Sequence, residues 1–542
     1  MSDSVENIFV LPTERMGALT LSTDSRLRTD LILPDSKAPF WLLDCFDGAL
    51  CRKGQLLIAN DNSLDLLTED GRLISQPLDQ PLPAHAVTRN TPLTDWSGAL
   101  APMPADLPDG PVVRALDLSR LRRLLPVAGG EMRCGQLTLS DDEGKIRLRA
   151  RILWLASRSA GDLAVISLQP LRGYGRAADE MRQRILDNDG RVLAGSALYR
   201  LLVPESPHLA RLAEPVILAS ASARATATGI IDSLLPAMRA NEFGIIADLD
   251  SEFLHDYRIA LRKIRSVISL FRHVYSEEVT SHLKTEFAGL MAPTGRLRDL
   301  DVYLLVRQTF HAMVPDSMHP GLDRLFAMFV NERRDAQRRL SRHLKSQGYA
   351  RKVARAMEDF SDPERLPSGK NGDRPVDEFA CSLIWKRYRK IAGIAAGITG
   401  DSPDEDIHQL RIQCKKLRYL IEFFEPLFDP AELGRLLKPM KKLQNSLGRF
   451  NDYSVQQTSL QAFMDNLNSR PGSRNAALAG KAPLLPETDL LEIAQSVGAL
   501  VTVLHGHQLE ERDNVMKHLS GLTSPQTRSA FRGLFHRGRE RQ

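Results

Sequence analysis

Two eleven-residue segments of this chain follow one pattern, 153 residues apart. The first reads His255-Asp-Tyr-Arg258-Ile-Ala-Leu-Arg262-Lys263-Ile-Arg265 and the second His408-Gln-Leu-Arg411-Ile-Gln-Cys-Lys415-Lys416-Leu-Arg418. Each opens on a histidine and sets basic residues at plus three, seven, eight and ten. The same offset aligns Phe271 with Phe424, and Gly295-Arg296-Leu297-Arg298-Asp299 with Gly448-Arg449-Phe450-Asn451-Asp452. A register that holds this long without a gap argues for internal duplication, so the fold must be one that can be built twice.

At 100° per residue, His255, Arg258, Arg262 and Arg265 fall within roughly an 80° arc of a helix, and His408, Arg411, Lys415 and Arg418 occupy the same arc in the second copy. Tyr257, Leu261, Ile264, Ile268 and Phe271 form the apolar side of the first; Leu410, Leu417, Ile421 and Phe424 form that of the second. Both segments predict amphipathic helices with a cationic stripe. Basic residues on a polar helix face are usually only solvated. A solvated face, however, constrains polarity alone, whereas these copies keep a histidine and four cations at fixed spacings with almost no acids between them. Like charges at i and i+4 repel by a few tenths of a kcal/mol, on the order of 0.3 per pair, so an anionic partner makes sense of the crowding.

The 542 residues suffice for two or more domains with cores of their own, and 43% hydrophobic with 26% charged residues is ordinary for soluble globular protein. No run approaches the roughly 18 apolar residues of a membrane span. Asp3 and Glu6 stand where a signal peptide carries basic residues. Cys45, Cys51, Cys134, Cys381 and Cys414 include no CxxC pair and no zinc-like grouping, so free thiols in a reducing cytoplasm are expected. Residues 1–240 hold 27 basic against 29 acidic side chains and 241–542 hold 45 against 38, which confines the basic excess to the C-terminal region.

Up to about Val203 the chain mixes short β-like runs with turns. Phe40–Leu43, Gln55–Ile58, Gln136–Leu139, Ile146–Arg149, Ile152–Trp154 and Leu163–Leu168 are predicted strands, with turns at Asp47-Gly48, Glu69–Gly71 and Asp142–Gly144 and a helix at Gly175–Asp187. Gln80–Gly110 reads as a long loop and Val203–Glu214 as a link. From about Ala223 to Arg537 a 3.6-residue period takes over, clearest at 322–357 and 489–519, with breaks near Pro315, Pro363–Pro375 and Arg470–Pro486. The fold class is α+β: a β-rich domain over 1–205, then an all-helical region over 215–540 with halves at about 215–360 and 375–540.

The paired segments His255–Arg265 and His408–Arg418, with Gly295–Val302 and Gly448–Val455, resemble the CHAD domain family across nearly all of 215–540. The resemblance implies two helical bundles related by a pseudo-two-fold axis, whose basic inner surface binds inorganic polyphosphate. More weakly, Leu43–Leu50 with Gly54, Asp142–Gly144 and Ile166–Gly173 resemble a CYTH domain, the triphosphate-tunnel β-barrel. That family's opening ExExK strand is missing near Glu6, and its late acidic strand has become Ser167 and Gln169. Triphosphate cleavage in such a tunnel needs carboxylates to hold a divalent metal. A degenerate barrel without triphosphatase activity is expected.

Polyphosphate carries about one negative charge per phosphate, and a receptor for it needs many cations along a path rather than base-reading geometry. Arg grips two oxygens with its fork, while Lys acts as a mobile point charge. The expected contacts are His255, Arg258, Arg262, Lys263, Arg265, Arg296 and Arg298 in the first half, and His408, Arg411, Lys415, Lys416, Arg418 and Arg449 in the second. A third stripe, Lys438, Lys441 and Lys442 near Asn445, answers to Thr285, Ala288 and Gly289 in the first half, so the second half should contribute more on that helix. Arg333, Arg334, Arg338, Arg339 and Arg342 are accompanied by Glu332 and Asp335 and read equally well as a solvated face.

The histidines admit phosphate donation or a packing and capping role; a metal site is the poorest reading, because no second ligand stands at i+4. Asp299, Asp301 and Asp452 are expected to pair with or orient neighbouring arginines rather than to catalyse. No cofactor is implied. The expectation is a non-enzymatic cytoplasmic receptor for polyphosphate, with granules as a location, no membrane partner and an unspecified oligomeric state. The alternatives are a triphosphatase that uses the barrel, and a general nucleic-acid binder, which usually adds exposed stacking aromatics that these arcs lack.

Overall fold

The computed structural model describes residues 8–20, 27–80, 82, 102–104, 107–116, 118, 121–157, 161–171, 173–192, 195–203, 221–468 and 486–536. The ExExK position, most of the 80–110 loop, the 203–214 link and the 470–486 break lie outside them. The described residues fall into two compact units: those within Met1–Arg211 and Phe243–Ser251, and those within Leu212–Glu242 and Glu252–Gln542. Sequence periodicity assigned 243–251 to the helical region. Arg122 shows why the first unit claims it: its guanidinium bonds Asp250 and Asp47, both at 2.6 Å.

The first unit is built on one antiparallel sheet. Its strands are β1 Ile8–Pro12, β2 Leu27–Ile32, β3 Ala38–Asp44, β4 Leu56–Asn60, β5 Ser63–Leu67, β6 Leu73–Pro77, β7 Leu125–Asp141, β8 Ile146–Ser157, β9 Gly161–Pro170 and β10 Arg191–Val192. The ladder runs β10-β1-β9-β8-β7-β3-β4-β5-β6, with β2 also on β7. Among the described residues no pairing joins β6 to β10, so the ladder has two unpaired edges there. The runs read as two strands at 146–149 and 152–154 are one strand, β8. Gly144, at φ 77°, turns β7 into β8, a left-handed position that a side chain resists.

Alternation explains why β1 is apolar throughout. Ile8 and Val10 enter a core with Leu198 and Tyr199 of α4 (Gly195–Leu202), while Phe9 and Leu11 enter another with Met181 and Ile185 of α3 (Gly175–Asp187), so both faces of the sheet are covered. Two short helices complete the unit, α1 at Ala49–Arg52 and α2 at Pro111–Ala115. Buried Asp44 accepts backbone N–H groups of Cys45 (2.6 Å), Leu50 (2.8 Å) and Cys51 (3.1 Å), fixing the start of α1. Burial raises its pKa against those hydrogen bonds. All five cysteines are free thiols.

Helix α6, Glu242–Ile246, falls in the first unit but for Glu242; the second unit is helical, with α5 Ala223–Ala240, α7 Ser251–Leu270, α8 Glu277–Met291, α9 Gly295–Leu305, α10 Arg307–Ala312, α11 His319–Leu344, α12 Gln347–Phe360, α13 Val376–Ala396, α14 Asp404–Phe424, α15 Pro430–Asn468, α16 Glu487–Thr523 and α17 Pro525–Phe535. Serine side chains cap α5, α8, α12 and α17 (Ser222, Ser276, Ser346, Ser524). The periodic stretch 322–357 is therefore two helices, interrupted where Ser346 starts the second. α12 packs on α5 as α17 packs on α13, α11 on α9 as α16 on α15, and α11 meets α16. No helix among the described residues is long and apolar enough to cross a membrane.

Helices α5, α7 and α8 begin at 223, 251 and 277; α13, α14 and α15 begin at 376, 404 and 430, each 153 residues later. Three contacts join residues separated by that same number. Ser222 bridges Pro375, Phe271 stacks on Phe424 at 4.9 Å, and Tyr303 donates to the Gln456 carbonyl at 3.5 Å. The first is reciprocal: Ala223 N–H donates to Arg374 at 2.9 Å and Val376 N–H to Ala221 at 3.0 Å. In each of these contacts a residue meets the one that the sequence pattern assigns as its counterpart.

Candidate functional site

α7 and α14 owe their rotation to their apolar sides. Tyr257, Leu261, Ile264 and Ile268 are buried on α7, and Leu410, Cys414, Leu417 and Ile421 on α14. That burial turns the cationic stripes outward only partly: His255, Arg258 and Arg262 on one helix and His408, Arg411, Lys415 and Arg418 on the other are half-buried, with Arg265 exposed. The stripes approach one another, because Lys415 is repelled by Arg262, its counterpart, as well as by Arg411 and Arg418.

Burial comes first for every stripe side chain whose titration shifts, and neighbouring cations add to it for all of them but Arg411. Burial first, then Arg411, Arg262 and Arg418, push the Lys415 ammonium down to about 8 against the opposing pull of Asp452. Burial and then Arg262 lower Arg258, with Arg298 and Arg265 adding to the effect and Asp299 opposing it. Burial lowers Arg411, opposed by Asp452. His255 is held below its ordinary value by burial and then by Arg298, against Glu252 and Asp256, which favours the neutral ring.

Hydrogen bonding is incomplete along both stripes. Arg262 Nε, Arg298 Nη1, Arg411 Nε and Arg418 Nε are buried without a hydrogen-bond partner. Arg418 Nε lies 3.2 Å from the Glu422 carboxylate, outside hydrogen-bond geometry. Each such donor costs about 1–3 kcal/mol unless something accepts from it, and native proteins keep few of them. The halves also differ in detail. Arg258 donates to Thr294 Oγ1 at 2.5 Å in the 3-10 turn Ala292–Thr294, where Pro293 separates α8 from α9. Leu447 takes the place of Thr294 in the second half and, with Arg411, Lys415, Arg418, Gln444, Asn445 and Gly448, lines a cavity of about 50 Å³. His408 Nδ1 lies 2.9 Å from Asn451 Oδ1, which orients its ring; Arg298 occupies that place beside His255.

Some predicted contacts are engaged elsewhere. Arg296 forms a two-bonded ion pair with Glu332 (2.6 and 2.5 Å), and its counterpart Arg449 forms one with Glu511 (2.6 and 3.1 Å). These pairs raise both guanidinium pKa values and tie α9 to α11 and α15 to α16. Of the acids expected to pair with or orient arginines, buried Asp301 bonds Arg333 at 2.7 Å, exposed Asp299 offsets the charge on Arg258 and Arg296, and exposed Asp452 that on Arg411 and Lys415. Arg333 is thereby separated from Arg334, Arg338, Arg339 and Arg342 on its helix. Lys263 faces Glu422, and Lys416 faces Arg387, Lys390 and Arg272, so both lie beside the main stripes. Lys438, Lys441 and Lys442 are exposed on α15.

Glu252, His255 and Asp256 bring one ligand atom each within 4.8 Å of one another. Arg298 and Arg262 both disfavour positive charge on His255 and so oppose a cation there. The second-half counterparts are Glu405, His408 and Gln409. Sequence reasoning passed over Thr294 and Gln444, whose residue types carry no signal apart from their place beside the stripes. Chemically, the arrangement is a pair of converging, under-satisfied cationic rows that can neutralise an extended anion; it contains no grouped nucleophile, base and orienting residue.

Residues 229–461 match the family model described as CHAD domain. Among solved structures, the chain is similar to the crystal structure of the CHAD domain from the plant Ricinus communis, at 21% identity and TM-score 0.41, covering 61% of this chain and 96% of that one. It is also similar to PptA from Streptomyces chartreusis, at 16% identity and TM-score 0.36, covering 58% of this chain and 99% of that one. No curated protein matches.

Proposed function

We propose that the helical unit, made of two duplicated bundles, binds inorganic polyphosphate between its cationic stripes. The observation that carries this reading is the set of buried guanidinium N–H groups on Arg262, Arg298 and Arg411 without a hydrogen-bond partner, on rows close enough for Arg262 to repel Lys415. Phosphoryl oxygens accept such donors and lift the repulsion that depresses Lys415 and Arg258. An extended, flexible anion fits because the cations run the length of two helices, and the match of residues 229–461 to the CHAD family supports the same ligand. The reading makes this a cytoplasmic receptor whose location follows polyphosphate granules.

A salt titration of the full chain with long-chain polyphosphate tests it. Binding is expected to weaken steeply as salt rises, with a log–log slope of about −4 or steeper from at least six neutralised phosphates, and single-stranded RNA is not expected to displace the ligand. Equal competition by RNA would demote the site to a general polyanion surface.

The first unit is proposed to be a degenerate triphosphate-tunnel domain without catalysis. Its sheet carries a cleft of about 460 Å³ lined by Cys134, Gln136, Arg149, Arg151 and Gln169, with Ile32, Pro34, Gly135 and Ala150. Those side chains offer no carboxylate, and the nearby buried Asp65 is bound at 2.7 Å to Arg151. A divalent metal holding triphosphate needs hard oxygen ligands. The full chain should release no phosphate from tripolyphosphate above background with Mg²⁺ or Mn²⁺; metal-dependent turnover would restore the enzymatic alternative.

A further inference from the structure

Besides the stripe at Lys438, Lys441 and Lys442, the two halves of the helical unit differ in charge along a second helix. α13 carries Lys386-Arg387-Tyr388-Arg389-Lys390, whereas the residues 153 positions earlier, on α5, are Ser233-Leu234-Leu235-Pro236-Ala237. Arg387 and Lys390 converge on Lys416 of α14, and Arg272, just past the end of α7, completes the group. Lys416 is lowered by burial and then by Arg387, Lys390 and Arg272; Arg387 is lowered by burial and then by Arg272. Among the described residues none of these four cations is in an ion pair.

The cluster is supported from beneath. Arg387 is half-buried and donates to Gln413 Oε1 at 2.5 Å, and Gln413 is itself only 6% exposed. An arginine on a merely solvated face has no such anchor. Lys416 also sits directly after Lys415 in the chain, so the cluster continues from the second-half stripe around the side of α14. The repeat-related positions do not match it: Leu234 and Ala237 stand for Arg387 and Lys390, Lys263 faces Glu422, and the position equivalent to Arg272 is Glu425.

We propose that Arg272 of the first half and Arg387, Lys390 and Lys416 of the second form a second anion subsite, without a repeat-related copy, that takes the part of a long polyphosphate chain extending beyond the stripes. This rests on the polyphosphate reading of the stripes and adds to it a chain-length dependence that comes from this one cluster. A short anion that fills the stripes does not reach the cluster; a long one lays further phosphates on it.

The test compares tripolyphosphate and long-chain polyphosphate on the full chain and on a variant with Arg272→Gln, Arg387→Gln and Lys390→Gln. The variant should bind tripolyphosphate as the native protein does, lose about tenfold in affinity for the long chain, and show a salt slope shallower by about 2, at roughly 0.7 per lost phosphate contact. A single Lys390→Glu change at an exposed position gives the same direction of effect without disturbing Gln413. Equal weakening for both ligands, or none for either, overturns the subsite. If the native chain binds neither polyphosphate, the stripe reading itself has failed, which is a different result.

Discussion

Phe424→Ala is expected to lower the unfolding free energy of the helical unit by about 3–5 kcal/mol, the range for deleting a fully buried aromatic side chain. Phe424 is 0% exposed and Phe271 2%, and their rings stack at 4.9 Å. Phe271 also meets Phe423 and Phe379 edge-on at 6.0 and 5.8 Å, so the lost ring leaves a gap among groups that α7, α13 and α14 all use. Urea unfolding followed by helical circular dichroism measures the effect. Combining Phe424→Ala with Phe271→Ala should cost about 1 kcal/mol less than the sum of the two single changes, because each removes the same stacked contact. A loss under about 1 kcal/mol for Phe424→Ala would show that the Phe271–Phe424 stack does not hold α7 to α14.

Replacing Arg258, Arg262, Lys415 and Arg418 by Ala should weaken long-chain polyphosphate binding by at least about 100-fold, since each charge-assisted contact contributes on the order of 1.5 kcal/mol or more. The same surface should become easier to fold. Lys415 alone illustrates the sign: its folded pKa of about 8 lies below the ordinary 10.5, so the fold disfavours its charged form. Below pH 8 that cost is fully present. Between pH 8 and 10.5 the unfolded chain binds more protons than the folded one, and stability rises with pH. Lys415→Met should therefore stabilise the protein at pH 7 by about 1 kcal/mol, after allowing for the solvent that reaches a half-buried ammonium, and the advantage over the native chain should shrink towards pH 10. Calorimetry at both pH values reads this; a destabilised variant at pH 7 would mean that the ammonium has a favourable partner.

The sequence made the helical unit legible because its two periods agree. The 3.6-residue pattern gives the helices, and the 153-residue offset predicts that Ser251 and Asp404 open equivalent ones. The stripes were readable for the same reason. Side-chain partners were not. Glu332 and Glu511 are 36 and 62 residues from Arg296 and Arg449, and no local pattern says that α11 and α16 will bring a carboxylate there. Helix α13 was a different omission, since its run of four cations is plain in the sequence, and only the absence of a partner run on α5 makes it informative. In the first unit the alternating strands and the helix Gly175–Asp187 were visible, while closure was not, because whether a ladder meets its own far edge depends on twist and stagger summed over every strand.

The contacts Ser222–Pro375, Phe271–Phe424 and Tyr303–Gln456 bear on threading. A polynucleotide has distinguishable 5′ and 3′ ends, whereas linear polyphosphate reads identically from either terminus. On the polyphosphate reading, the ligand's own end-to-end identity makes head-first and tail-first entry the same event, and no reversal has to precede capture. A polynucleotide lacks that identity, and only a site that maps onto itself by a half-turn would hold its two directions alike.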